Sequence, residues 1–118
     1  MRAEAVAKSA LPRKARIDAP GALHHIIVRG LARTAIFRDD TDYNNFILHL
    51  GRLLTESATP CLARALMSNH LHLLLRTGRV PISTLMRRLP TGYARQFNRR
   101  HRGHGVLFQN RYKSIWKR

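Results

Sequence analysis

Apolar and polar positions recur with two different periods along this chain, and the switches between them divide it into elements. Residues 23–29, Leu-His-His-Ile-Ile-Val-Arg, predict a strand, introduced by the turn chemistry of Asp18-Ala19-Pro20-Gly21 and ended by Gly30. Successive side chains of a strand point to opposite faces, so His25, Ile27 and Arg29 share one side and His24, Ile26 and Val28 the other. Residues 31–37 are expected to form a loop or a short strand extension. Asp39-Asp40-Thr41 then supplies a helix start, with acids at the positive end of the dipole. Beyond it the period changes. Tyr43, Phe46, Ile47, Leu50, Leu53 and Leu54 recur at three- and four-residue spacing, predicting an amphipathic helix over 41–57 with Tyr43 in its core stripe. Pro60 cannot continue that helix.

A strand over 61–67, a tight Ser68-Asn69 connection and the stretch Met67-Ser68-Asn69-His70-Leu71-His72-Leu73-Leu74-Leu75-Arg76 predict an antiparallel hairpin, closed by Thr77-Gly78. A second helix is expected over 83–100, with Ser83 as its cap. Leu85, Met86, Leu89, Tyr93 and Phe97 form one stripe of it, and Arg88, Arg95 and Arg99 another. Pro90, in its middle, is expected to kink the helix or split it. A basic turn follows over 99–105, then a last strand over 106–116 that contains Tyr112 and exposes Arg111 and Lys113 on one side. The order β–α–β–β–α–β predicts an α+β, ferredoxin-like split βαβ fold: a four-stranded antiparallel sheet with two helices on one face. Residues 1–16 read as a mobile basic tail and 17–118 as one domain.

Charge changes the picture more than composition does. The chain has 118 residues, 44% of them apolar, which suits a single globular domain. Against that ordinary background stand 22 Lys and Arg and only 6 Asp and Glu, a net charge of +16. The last acid is Glu56, so the 13 basic residues from Arg64 to Arg118 run without an intervening carboxylate. That half cannot neutralise itself by ion pairs, and it calls for a polyanion. Nucleic acid is the leading partner, because each neutralised phosphate releases condensed counterion; an anionic membrane surface is the competitor. The single cysteine, Cys61, excludes an internal disulfide and a cysteine-based zinc site, and fits a reducing cytoplasm. No apolar run approaches the roughly 18 residues of a membrane span.

The candidate chemistry lies in the hairpin. On a strand, His70 and His72 project from one side while Leu71, Leu73 and Leu75 anchor the other. Two adjacent imidazoles on a rigid strand can form half of a divalent-metal site, although His-x-His is as often a pair of histidines that merely satisfy hydrogen bonds. His25 either lies near such a metal, stacks on a base, or is a satisfied core histidine. His101 and His104 fall in the glycine-rich turn and read as loop residues rather than ligands.

Several separated stretches together resemble the single-tyrosine HUH transposases, in particular the REP-associated tyrosine transposases with their IS200-like domain. They are Pro20-Gly21-Ala22-Leu23-His24-His25-Ile26-Ile27-Val28-Arg29-Gly30, Ile36-Phe37-Arg38-Asp39, Asp42-Tyr43 with Phe46, and the Met67–Leu75 stretch. Leu85-Met86-Arg87, Tyr93, Phe97-Asn98-Arg99-Arg100 and Gly105-Val106-Leu107-Phe108-Gln109-Asn110-Arg111-Tyr112-Lys113-Ser114 complete the series. The resemblance implies DNA transposition by cleavage and rejoining of single-stranded or hairpin DNA, inside a bacterial cytoplasm and at the nucleoid. It implies a divalent ion, Mg2+ or Mn2+, held by His70 and His72, a phosphotyrosyl intermediate, and the possibility of a homodimer. Leu31 departs from the family, which often has a polar residue after Arg-Gly.

The larger departure concerns the nucleophile. In the family, the tyrosine follows the last strand on a further helix, and no such segment follows Tyr112-Lys113-Ser114-Ile115-Trp116. The chain is therefore expected to be a truncated, inactive copy. Tyr43 and Tyr93 belong to helix stripes and Tyr112 to the last strand; of these, Tyr93 is a weak candidate nucleophile, read first as a core or DNA-stacking residue. Arg29, Arg76, Arg87, Arg88, Arg95, Arg99, Arg100, Arg111 and Lys113 are the expected DNA-backbone contacts. The competing reading is a basic DNA- or RNA-binding module without catalysis.

Overall fold

The computed structural model describes residues 21–109 and 111–117, so the expected tail at residues 1–16 lies outside the described residues. Strand β1 is Leu23–Arg29, helix α1 Asp40–Ser57, strand β2 Cys61–Met67, strand β3 His70–Arg76, helix α2 Ile82–His101 and strand β4 Lys113–Lys117. The sheet order is β2-β3-β1-β4, antiparallel throughout, so β1 and β3 are the two inner strands. This is the expected split βαβ arrangement.

The strand periodicity builds the core. Ile26 and Val28 of β1 and Leu71, Leu73 and Leu75 of β3 are buried, and they share one cluster with Phe46, Leu50 and Leu53 of α1 and Leu85, Leu89, Tyr93 and Phe97 of α2. Both helices therefore cover the leucine face of the sheet. His25, His70 and His72 are half-buried on the opposite, uncovered face. His24, whose position puts it on the core side, is satisfied there by Thr77 Oγ1 at 3.0 Å and Ser114 Oγ at 3.3 Å.

Helix α1 starts at Asp39, whose side chain accepts from the Asp42 N–H at 3.0 Å. It ends at Ala58, which takes the left-handed conformation ahead of Pro60.

Four expectations need correction. Helix α2 is not split at Pro90 but runs through it as one element, with Leu89 and Tyr93 on either side both packed into the core. Its N-cap is Pro81 rather than Ser83. The last strand starts only at Lys113, so Tyr112 precedes it; residues 106–109 instead cross the end of β1, where Phe108 makes a single bridge with Gly30 and Leu107 and Phe108 are buried. His101 is the final residue of α2, not part of the turn, and its Nε2 bonds the buried carboxylate of Asp42 at 2.8 Å.

Candidate functional site

Register places the histidines. His72 lies opposite Ile27 of β1, and Arg29 lies opposite His70. On the open face the His70 and His72 rings are 5.2 Å apart and nearly perpendicular, and the His25 ring is 5.1 Å from that of His72. Each candidate ligand has one nitrogen fixed by a neighbour. His70 Nδ1 bonds Asn69 Oδ1 at 2.9 Å, and because that oxygen only accepts, Nδ1 carries the proton. His72 Nδ1 shares a hydrogen with His25 Nε2, also at 2.9 Å. In both rings Nε2 is the remaining nitrogen. A ligating imidazole usually has its other nitrogen tied to an outer partner in this way, which sets ring orientation and tautomer. Partial burial, reinforced by His25, His70 and Arg29, lowers the pKa of His72 below its ordinary value, so the ring is neutral at neutral pH. Neutral imidazole is the form that binds a metal.

The donor set fits a divalent ion in part. His70 and His72 offer two nitrogens, and among the described residues no third His, Cys, Asp or Glu joins them in a metal-binding cluster. The other coordination positions would fall to water or to oxygens of a bound phosphate.

The sequence-predicted cations divide between the two faces. Arg76 alternates with His70 and His72 along β3, and Lys113 lies opposite Ile27, so both share the open face with Arg29. Arg87, Arg88, Arg95, Arg99 and Arg100 lie on α2, in the helix layer, and Arg111 is exposed ahead of β4. Two of the helix cations are engaged by acids of α1 and its cap. Arg88 meets Glu56 at 3.0 Å, and Arg100 donates to Asp39 at 2.8 Å and to the buried Asp42 at 2.7 Å. The basic half is thus neutralised in places after all, by acids from earlier in the chain. Arg76 donates to the Gly21 carbonyl at 3.0 Å.

None of the three tyrosines lies among the histidines. Tyr43 stacks on Phe37 at 4.4 Å, Tyr112 packs against the core, and Tyr93 is buried with its hydroxyl donating to the Ile36 carbonyl. Burial, and then the charge of Asp42, push the Tyr93 hydroxyl well above its ordinary pKa, the reverse of what a nucleophile needs.

Sequence reasoning missed Arg33 and Asn69. With His70, Arg29 and Gln109 they line a cleft at the rim of the open face. The Asn69 position beside His70 was visible in the sequence. Nothing signalled Arg33, which sits at φ +62 in the 3-10 turn Leu31–Arg33.

The described elements thus make a ferredoxin-like domain with a histidine pair on one sheet face and a cationic helix layer on the other. The chain belongs to the IS200-like transposase family, whose model matches residues 20–117. It is similar in fold to a crystal structure of a candidate transposase from Deinococcus radiodurans R1, at 19% identity and a TM-score of 0.65, covering 82% of this chain and 79% of that one. It is similar also to a REP-associated tyrosine transposase bound to a REP hairpin, at 16% identity and a TM-score of 0.66, covering 85% of this chain and 58% of that one. A search of curated protein sequences found no match.

Proposed function

We propose that this domain binds single-stranded or hairpin DNA across its open sheet face and provides the metal-binding half of a transposase site. The observation that carries this reading is the pair of half-buried imidazoles, each with its Nδ1 fixed and its Nε2 unengaged among the described residues, on an inner strand of a sheet face that neither helix covers. His70 and His72 would hold Mg2+ or Mn2+. When bound, the ion supplies Lewis-acid polarisation of a phosphodiester and a template for its orientation. His25 and Asn69 hold the two ligand rings in place, and Arg29, Arg76 and Lys113 bind the DNA backbone on the same face. Arg87, Arg95, Arg99 and Arg111 extend the cationic surface, while Arg100, engaged by two carboxylates, serves the fold.

The attacking hydroxyl is not that of Tyr93. Strand transfer through a phosphotyrosine would need a tyrosine hydroxyl brought to the histidine face. The similarity to a hairpin-bound REP-associated transposase supports a hairpin end as the DNA form. A non-catalytic DNA- or RNA-binding module remains the second reading, favoured by the absence of a tyrosine beside the histidines among the described residues.

Mn2+ titration followed by electron paramagnetic resonance separates the two. His70→Ala and His72→Ala should each weaken Mn2+ binding at least tenfold while the thermal melt is kept, on the scale that loss of one ligand or its outer partner produces. Equal Mn2+ affinity in wild type and both variants would leave only the binding module.

A further inference from the structure

Beside His70 the open face ends in a cleft of about 440 Å³, lined by Arg29, Gly30, Arg33, Asn69, His70 and Gln109. That volume is in the range of sites for small organic groups, roughly 300–1,000 Å³. Its lining is unusual for a surface hollow: Gly30 apart, every residue brings a polar side chain, and none is a carboxylate. Three chain segments meet to build it. The Gly30 N–H donates to the Asn69 carbonyl, the Gln109 N–H to the Arg29 carbonyl and the Leu31 N–H to the Leu107 carbonyl, each at 2.9 Å. A side chain at position 30 would put its Cβ 2.1 Å from the Thr34 carbonyl, so only glycine allows the chain to fold back tightly enough to bring Arg33 to the rim.

We infer that this cleft is a nucleotide subsite, taking one adenine nucleotide of the DNA strand next to the phosphate that would sit at His70 and His72. It rests on the single-stranded DNA reading above and adds a base-selecting residue to it. Two guanidiniums without a neighbouring acid in the lining match a phosphodiester. Asn69 Oδ1 is occupied by His70 Nδ1, so its amide can offer only N–H donors. Among the described residues Gln109 has no such engagement for its side chain and offers an acceptor and a donor side by side. That pair matches the adenine edge, where N6–H donates and N7 accepts; guanine shows two acceptors there, and pyrimidines lack N7. Arg29 and Arg33 hold the backbone without reading it; Gln109 reads the base.

Fluorescence anisotropy with labelled eight-residue deoxyoligonucleotides tests this in a chelating buffer, so that neither metal nor cleavage enters. One probe is all thymine, and the others carry a single adenine or guanine. Wild type should prefer the adenine probe over the thymine and guanine probes by about fivefold or more, the lower end for one bidentate base contact. Gln109→Leu should bring that preference close to one. Gln109→Glu, of the same shape, removes the amide donor and should also lose the preference. Arg33→Ala should weaken all probes alike. A preference that survives Gln109→Leu and Gln109→Glu overturns the subsite while leaving DNA binding standing. Failure of wild type to bind any probe sinks the DNA reading itself, and the subsite with it.

Discussion

Tyr93 shows how one residue can carry two incompatible readings until its surroundings are known. In the sequence it is one of three tyrosines in a chain that resembles tyrosine transposases. In the fold it is 1% exposed, wedged among Phe37, Phe46, Phe97 and Phe108, with its hydroxyl spent on a backbone carbonyl. Tyr93→Phe leaves that buried carbonyl without a donor and should cost about 1–2 kcal/mol in urea unfolding. It should leave DNA affinity unchanged. Covalent trapping of labelled DNA on wild type that disappears in Tyr93→Phe would contradict this assignment. The histidines are the opposite case, because strand periodicity alone put His70 and His72 on one face and their leucine neighbours on the other. The contact between His25 and His72 needed the register of β1 on β3, which strand patterning does not specify.

Helix contacts are where local pattern runs out. The apolar stripes of α1 and α2 were legible, but which side chains meet between the helices was not. His49 of α1 is pressed against Gly92 of α2, and its buried Nε2 has no hydrogen-bond partner among the described residues. Burial, the largest cause, depresses the His49 pKa. Alanine at position 92 would add about 1 kcal/mol of helix propensity, but its Cβ would lie 2.4 Å from His49 Nε2. Overpacking of that kind costs roughly 1–3 kcal/mol. Gly92→Ala should therefore lower the urea midpoint, and adding His49→Ala should recover much of the loss. A midpoint raised by Gly92→Ala alone would rule out the crowded contact.

The other tie between the helices is electrostatic. The Arg100 hydrogen bond, and then the Asp42 N–H, lower the Asp39 pKa from 3.8 to about 2. A carboxyl depressed by folding adds stability that is complete above its unfolded value and lost as pH falls through its folded value. Wild type should therefore lose stability between pH 4 and about pH 2 more steeply than Asp39→Asn, as denaturant midpoints across that window would show. Parallel curves would mean that the ion pair is not formed in solution. The sequence placed Asp39 at a helix start, yet its partner lies 61 positions away, a distance that no local rule bridges.

At the scale of the whole molecule, net charge was the most legible property and its layout the least. A charge of +16 announces a polyanion, but only the fold shows that the cations occupy two faces and that Arg88 and Arg100 are already paired. Binding to single-stranded DNA should weaken with salt at a log–log slope of about −0.7 per phosphate contacted. Arg29→Ala and Arg95→Ala should each flatten that slope by about one such step, whereas Arg100→Ala should leave it unchanged and lower stability instead. An Arg100→Ala slope flattened like the others would return that residue to the DNA surface. Among the described residues no helix is long and apolar enough to cross a membrane.

The placement of the histidine pair on an inner strand has a further consequence for how the domain breathes. Amides of β1 and β3, bonded on both sides, should exchange with deuterium only when the domain opens as a whole, whereas the outward-facing amides of the edge strand β2 can exchange without it. The wall that carries His70 and His72 should then stay shut for as long as the protein is folded, so that its deuterium uptake reads out global unfolding and nothing smaller.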